Sequence, residues 1–274
     1  MKIRNLAIVA AAALLLTACS PADSSSSGDD GGDDTSTETR VLRVATTGDS
    51  KPYAYSEDGV FKGFDIELMD AVAAAEGVEV EYVAQDFAAI LPAVNNGQFD
   101  LGAASIAVTD ERKQTVDFSD PYLVGYIAVL ATEAGGVTSA DGLTGKRLGL
   151  VQGTIQENYA AENYPDTEIV RFPDNNAGFS ALTGGTIDAQ FLDLPVAQDY
   201  IESNPDAGLS VVAEIPTLDL PAAFAVAKGN DELLKLLNDG LLTVMKDGTW
   251  EEIYTKYFPD QPVPEQYTAE GVAG

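Results

Sequence analysis

Apolar and polar positions change their period in a regular way along the chain. "VLRVAT", Val41 to Thr46, alternates with the period of two of a half-buried strand. "GFDIELMDAVAAAEG" sets Phe64, Leu68, Val72 and Ala75 at helical spacing, and Gly77 ends the run. "VEVEYV" alternates again, and "FAAILPAVNNG" reads as a short helix with Gly97 near its end. "FDLGAASIA" predicts an apolar strand, "TDERKQTV" a helix started by an N-cap Thr109, and "YIAVLAT" another strand.

The theme then repeats. Strands are expected at "KRLGLV", "TEIVRF", "IDAQFLD", "LSVVAE" and "PAAFAVAKGN". Helices are expected at "GTIQENYAAENY", "NNAGFSALTGG", "LPVAQDYIESNP", "DELLKLLNDGLLTVMKDG" and "TWEEIYTKYF". Alternating β and α units predict an α/β fold with mostly parallel sheets covered by helices. Ligands of such sheets bind beyond the carboxyl ends of the strands. Arg112, the pair Gly153 and Thr154, and Asp193 all fall at expected strand ends.

The first forty residues break this pattern. "MKIRNLAIVAAAALLLTACS" carries Lys2 and Arg4, an apolar run from Leu6 to Leu16, and then small residues. That is the layout of a secretory signal, with an apolar run too short to span a bilayer. The one cysteine of the chain, Cys19, stands where cleavage is expected. "LTAC" resembles a bacterial lipobox, which implies residues 1–18 as signal peptide and Cys19 as a lipidated mature N-terminus; an ordinary signal with an incidental cysteine is the plain alternative. Residues 20–40 hold Ser, Gly and acids and no large apolar side chain. Such a segment buries too little to offset chain entropy, so residues 19–40 read as a lipidated tether.

Composition narrows the chemistry. The 274 residues carry a formal net charge of -29. This argues against nucleic acid, whose phosphates need clustered Lys and Arg. There is no histidine and a single cysteine, so triads built on histidine, Cys-rich zinc sites and intrachain disulfides are excluded. No cofactor, metal or catalytic residue is expected.

Four stretches together carry a specific resemblance: "GFDIELMDAVA", "DFAAILPAVNNGQFDLGAASIAVTDERKQTVDFSDPY", "GLVQGTIQENY" and "GGTIDAQFLDLPVA". The chain resembles the polar amino-acid-binding proteins of ABC importers, the family-3 solute-binding type, from about Val41 to Pro259. The resemblance implies a two-lobed type II periplasmic-binding fold whose lobes are joined by two crossing strands, near Gly125–Leu130 and Pro221–Ala227. Lobe one would comprise residues 41–126 and 224–259, lobe two 127–223, and residues 260–274 a tail. It implies a monomer that takes a free amino acid, closes over it, and delivers it to a membrane permease and ATPase from an extracytoplasmic, lipid-anchored position.

The resemblance also assigns roles. Arg112 matches the arginine that grips the ligand α-carboxylate, a task suited to paired guanidinium donors; from spacing alone, a surface arginine paired with Asp110 or Glu111 is equally open. Asp193 matches the aspartate for the α-ammonium, although it also fits a helix N-cap. Gly153 and Thr154 offer backbone N–H groups at a strand-to-helix turn. Ser105 and Ala107 match hydroxyl and backbone contacts, and Phe87 an aromatic stacked on the ligand side chain, with core packing at a helix start as its alternative. The sequence departs from the family pattern at Ala107 and Ile155, where hydroxyls are usual. It departs again at Thr47 and Ser50, which replace an aspartate and an aromatic. Asp49 is the neighbour able to compensate, and Tyr53 reads as lobe-one packing. The acidic field favours polar or cationic ligands over acidic ones. A dehydratase-type enzyme on the same scaffold and an amino-acid sensor are the competing readings.

Overall fold

Two five-stranded sheets built to one plan organise residues 39–273, the part of the chain described by the computed structural model. The first lobe starts with β1 (Val41–Thr46), a small meander of β2 (Asp49–Ser50), β3 (Ala54–Glu57) and β4 (Val60–Lys62), and helix α1 (Phe64–Glu76). It continues through β5 (Glu79–Ala84), α2 (Phe87–Asn95), β6 (Leu101–Gly102) and β7 (Val116–Phe118). After β8 (Leu123–Val124) the chain enters the second lobe: β9 (Ile127–Thr132), β10 (Arg147–Val151), α3 (Ile155–Asn163), β11 (Glu168–Phe172), α4 (Asn175–Thr183), β12 (Ala189–Asp193), α5 (Leu194–Ser203) and β13 (Leu209–Glu214). It returns through β14 (Pro221–Ala222) to β15 (Ala225–Ala227), α6 (Asp231–Lys246) and α7 (Thr249–Tyr257).

The sheets have the orders β5-β1-β6-β15-β7 and β11-β10-β12-β9-β13. The α/β two-lobed fold is as expected, but the sheets are mixed, not mostly parallel. In each, the first three strands are parallel and the last two pairings are antiparallel. The antiparallel strands are those next to a lobe crossing, β9 and β15, which enter from the other lobe and so run against the rest.

Several expectations change in detail. The crossing pair is β8 with β14, Val124 opposite Pro221 and Leu123 opposite Ala222, a few residues before the expected hinge segments. Residues 127–130 and 225–227 belong to the two sheets instead. The apolar run "FDLGAASIA" gives only a two-residue strand, because the chain leaves the sheet after Gly102. Thr109 does cap, its Oγ1 accepting from the Arg112 N–H at 3.2 Å, but it starts one 3-10 turn, Arg112–Gln114, and no longer helix.

Helix α1 shows why the first lobe holds together. Its Ala-rich body favours helix, and left-handed Gly77 (φ 67) closes the C-terminus by donating to Ala73 and Ala74 carbonyls. Phe64, Leu68, Met69, Val72 and Ala73 form the buried face, while Ala75 is exposed, so the stripe turns slightly from the expected one. Phe64 lies within 5.2–6.4 Å of the rings of Tyr122, Trp250, Tyr254 and Phe258. Truncating it to alanine costs about 3–5 kcal/mol. The segment after α7 is not a free tail: Tyr267 is buried, its ring lies 5.3 Å from Trp250, and the Tyr254 hydroxyl donates to the Pro262 carbonyl at 3.1 Å. Among the described residues no helix is long and apolar enough to cross a membrane. Cys19, the signal segment and most of the tether lie outside the described residues.

Candidate functional site

The carboxyl ends of the strands of both sheets face one cavity between the lobes. Arg112 enters it from lobe one. Its Nη1 donates to the Ala107 carbonyl at 2.8 Å and its Nη2 crosses to the Gly153 carbonyl of lobe two at 3.0 Å. The guanidinium carbon lies 5.3 Å from the centre of the Phe87 ring. It forms no ion pair with any described carboxylate; the neighbouring Lys113, not Arg112, reaches Asp110. Burial pushes the Arg112 pKa down to about 10, still far above neutrality, so the side chain is a desolvated cation held only by neutral carbonyls. The surface-pair alternative is thereby removed.

Asp193 enters from lobe two, at the end of β12. It occupies the N-cap position of α5 but makes no side-chain cap bond. Its Oδ1 instead accepts from the Nε2 of buried Gln156 at 3.0 Å. Burial raises its pKa to about 7; the Gln156 hydrogen bond opposes this, nearby Asp65 adds to it, and Arg112 opposes it. An unpaired guanidinium and a raised carboxylate, one per lobe, thus line one cavity.

The sequence profile of the bacterial extracellular solute-binding proteins, family 3, matches residues 42–260. The chain belongs to that family. A probable histidine-binding protein of Neisseria gonorrhoeae is 32% identical over 80% of this chain and 83% of its own length. An ancestral arginine-binding protein, solved with arginine, superposes with a TM-score of 0.76 at 36% identity, covering 80% of this chain and 98% of that one. An ancestral amino-acid-binding protein described as a precursor of cyclohexadienyl dehydratase gives 0.71 at 34%, covering 80% and 95%.

In this family-3 protein the remaining expected positions divide. Thr47, Asp49, Ser50, Phe87, Ser105, Ala107 and Thr154 all line the cavity. Gly153 does not: it borders the adjoining groove, and its N–H is already taken by the Glu157 carboxylate at 2.8 Å. Its left-handed φ of 79 and a would-be Cβ only 3.1 Å from Ala88 of lobe one explain the glycine as a close lobe contact. The Thr154 and Ala107 N–H groups have no acceptor among the described residues. The Ser105 hydroxyl is spent on Asp65, and the Thr47 hydroxyl on the Ala54 carbonyl. Phe87 serves both readings, packing on the cluster around Ile90 while its ring faces Arg112.

At the far end of the cavity the lobes meet through hydrogen bonds. Asp49 accepts from the Asn175 N–H of α4 at 2.5 Å, and Asn175 Nδ2 donates to Ser50 Oγ at 3.1 Å. Burial raises the Asp49 pKa, the Asn175 N–H opposes this, and nearby Asp174 adds to it. Outside the cavity Lys51 pairs with Asp199 across the lobes at 2.7 Å.

Sequence reasoning missed Gln156, Asn175, Asp65 and the cavity-facing side of Tyr53. Tyr53 is 2% exposed and lines the cavity with no hydrogen-bond partner given to its hydroxyl among the described residues. A signal for Asp65 existed: it is a carboxylate on the buried face of α1. Gln156 and Asn175 had none, since both look like ordinary first-turn polar residues. Among the described residues no group of three or more acidic or cysteine side chains could hold a metal.

Proposed function

We propose that the protein captures a free α-amino acid with a polar or cationic side chain outside the cytoplasm, closes its lobes over it and hands it to the permease and ATPase of an ABC importer. The observation that carries this reading is the Arg112 guanidinium, desolvated and without a carboxylate partner, sharing a cavity with Asp193. A zwitterion supplies the two missing charges: its carboxylate to Arg112 and the N–H groups of Ala107 and Thr154, its ammonium to Asp193. Asp49 and Asp174 line the same cavity and leave a surplus of negative charge that disfavours acidic ligands. The names of the histidine- and arginine-binding relatives point the same way.

A thermal-shift screen of the twenty amino acids and ornithine tests this, because a ligand at 100 times its Kd adds about 2.7 kcal/mol of stability. Arginine, lysine, histidine or ornithine should give the largest shift, and aspartate and glutamate none. A chain stabilised by no amino acid overturns the reading.

The reading divides the protein into a signal peptide (1–18), a lipidated tether (19–40), lobe one (41–126 with 224–259, extended by the packed C-terminal segment) and lobe two (127–223), acting as a monomer. Cys19→Ser should move the protein from membrane to soluble fractions; wild-type protein that carries no lipid by mass spectrometry overturns the anchor. A dehydratase-type activity is the rival use of this cleft, with Asp193 as the acid. Recovery of ligand unchanged after long incubation at saturation separates binding from turnover.

A further inference from the structure

Asp65 is a buried acid that the clamp of Arg112 and Asp193 does not use. It is fully buried in the first turn of α1, where the helix dipole favours a carboxylate. The chain is fixed there by Gly63, whose φ of 122 and would-be Cβ 2.2 Å from the Tyr53 carbonyl admit no side chain, and by the Asp65 N–H donating to that same carbonyl at 3.0 Å. Each carboxylate oxygen has one hydroxyl donor. The Ser105 Oγ donates to Oδ2 at 2.8 Å and the Tyr122 hydroxyl to Oδ1 at 2.5 Å.

The two donors belong to different machinery. Ser105 lies in the cavity-lining loop after β6 and is held at φ 46, left-handed and unfavourable for a residue with a side chain. Tyr122 immediately precedes the crossing strand β8. Its N–H donates to Ala222 of β14, the other crossing strand, at 3.0 Å, and its ring lies 4.5 Å from Phe224.

We propose that Asp65 is a positioning residue for ligand binding: its carboxylate pins the strained loop that forms the lobe-one wall of the cavity to the foot of the two crossing strands. The wall that meets the ligand and the strands about which the lobes move are therefore tied to one charged group. The inference rests on reading the cleft as the ligand site. Ser105 has no hydroxyl left for the ligand, so its part is to set the course of the chain from Ala104 to Ala107.

The charge acts as well as the geometry. Burial raises the Asp65 pKa to about 6, against the pull of its two hydroxyl donors and of the Ser105 N–H. The phenols of Tyr53, Tyr82 and Tyr122 face it and are all pushed up by burial, so they stay protonated. From lobe two it faces Asp193, whose pKa it raises, and Asp193 in turn faces Gln156, Arg112 and Tyr53. Removing the Asp65 charge should therefore lower the Asp193 pKa.

The test is calorimetric titration of L-arginine against wild type and Asp65→Asn between pH 5 and 8.5, with melting temperatures measured alongside. The expected result is a folded variant that binds about tenfold or more weakly at pH 8, the scale of losing hydrogen bonds to a charged group. Its acid-side loss of affinity should also begin at lower pH than in the wild type. A purely structural role would lower the melting temperature without moving that limb. Should Asp65→Asn not fold, Ser105→Ala and Tyr122→Phe each remove one donor and keep the acid, and both should weaken binding several-fold. Wild-type affinity and an unmoved acid limb in Asp65→Asn, or wild-type affinity in both single-donor variants, overturns the proposal. Loss of binding in Arg112→Ala beside such an outcome shows that the site stands and only the role of Asp65 falls; arginine failing to bind wild type places the failure in the ligand reading.

Discussion

The two lobes share one strand order yet present their charges in opposite ways. Strands β6 and β12 hold the same place in their sheets, third after the parallel pair. In lobe two, β12 runs five residues and delivers Asp193 directly at its end, with α5 starting at the next residue. In lobe one, β6 lasts two residues and a long loop follows, so Arg112 arrives ten residues later on a single 3-10 turn. The short route gives a carboxylate whose place is set by the sheet. The long route needs external ties: the Thr109 cap, the Ala107 carbonyl and the Asp65 pin. One plan thus yields a fixed anion and a cation on an adjustable arm, and the adjustable side also reaches across to Gly153.

Removing the arm should have the largest effect. Arg112→Ala leaves a desolvated ligand carboxylate without its partner, and such truncations cost about 2–5 kcal/mol, or roughly 30- to several-thousand-fold in Kd. Arg112→Lys should recover only part, because one ammonium cannot serve the Ala107 carbonyl, the Gly153 carbonyl and a ligand carboxylate in one plane. Titration calorimetry decides; binding within about threefold of wild type in Arg112→Ala contradicts the site.

The fixed anion should show itself through pH. Asp193 must be ionised to hold an ammonium, and its pKa in the ligand-free cavity is about 7. Ligand binding lowers that pKa and so releases a proton. Affinity should then be full above pH 7 and fall as pH drops below it, by up to tenfold per unit. Asp193→Asn should bind more weakly at pH 8, by about ten- to a hundredfold on the scale of a lost charged hydrogen bond, and lack most of this acid limb. A wild-type affinity that is flat from pH 5 to 8.5 rules out the assignment.

The same contrast explains what the sequence could reveal. Elements with a clean period were legible: α1, β9, β10, α6 and the β12–α5 junction all fall where the alternation of apolar positions puts them. Arg112 and Asp193 were legible through motif resemblance, and Asp193 alone would have passed for an N-cap. The run from Phe99 to Ala107 was not legible. It is apolar because it is buried on all sides, and burial alone does not separate strand from loop. Gly153 was expected to offer its N–H, but Glu157, four residues on, had already taken it. Antiparallel β9 and β15 depend on which lobe each strand enters from, a long-range fact that no local window carries.

A smaller effect should come from Tyr53, where the two charged arms converge. Its hydroxyl stands in the cavity with no described partner, and burial beside Asp193 and Asp65 keeps it protonated. Tyr53→Phe preserves the ring packed 5.4 Å from Phe258 and removes only the polar end. The melting temperature should hold, while the Kd for arginine should rise about three- to tenfold, the usual worth of one neutral hydrogen bond. An unchanged Kd would return Tyr53 to plain core packing.

The smallest effect separates contacts that exist only between lobes from contacts within one. Lys51 pairs with Asp199 across the closed cleft at 2.7 Å, whereas Lys228 pairs with Asp117 inside lobe one at 2.6 Å. Both lysines are about half exposed, so water and salt screen both pairs, and an exposed pair contributes at most about 1 kcal/mol. What differs is the equilibrium each one enters. The Lys51 pair forms on closure, so its loss should weaken arginine binding by up to about fivefold and do so less at high salt. The Lys228 pair is present whether the lobes are open or closed, so Lys228→Ala should leave Kd unchanged at every salt concentration. Calorimetry of the two alanine variants at low and high salt reads the difference directly. Equal behaviour of the two would mean that closure does not form the Lys51 contact in solution, and the adjustable arm of lobe one would then have to find its partners without it.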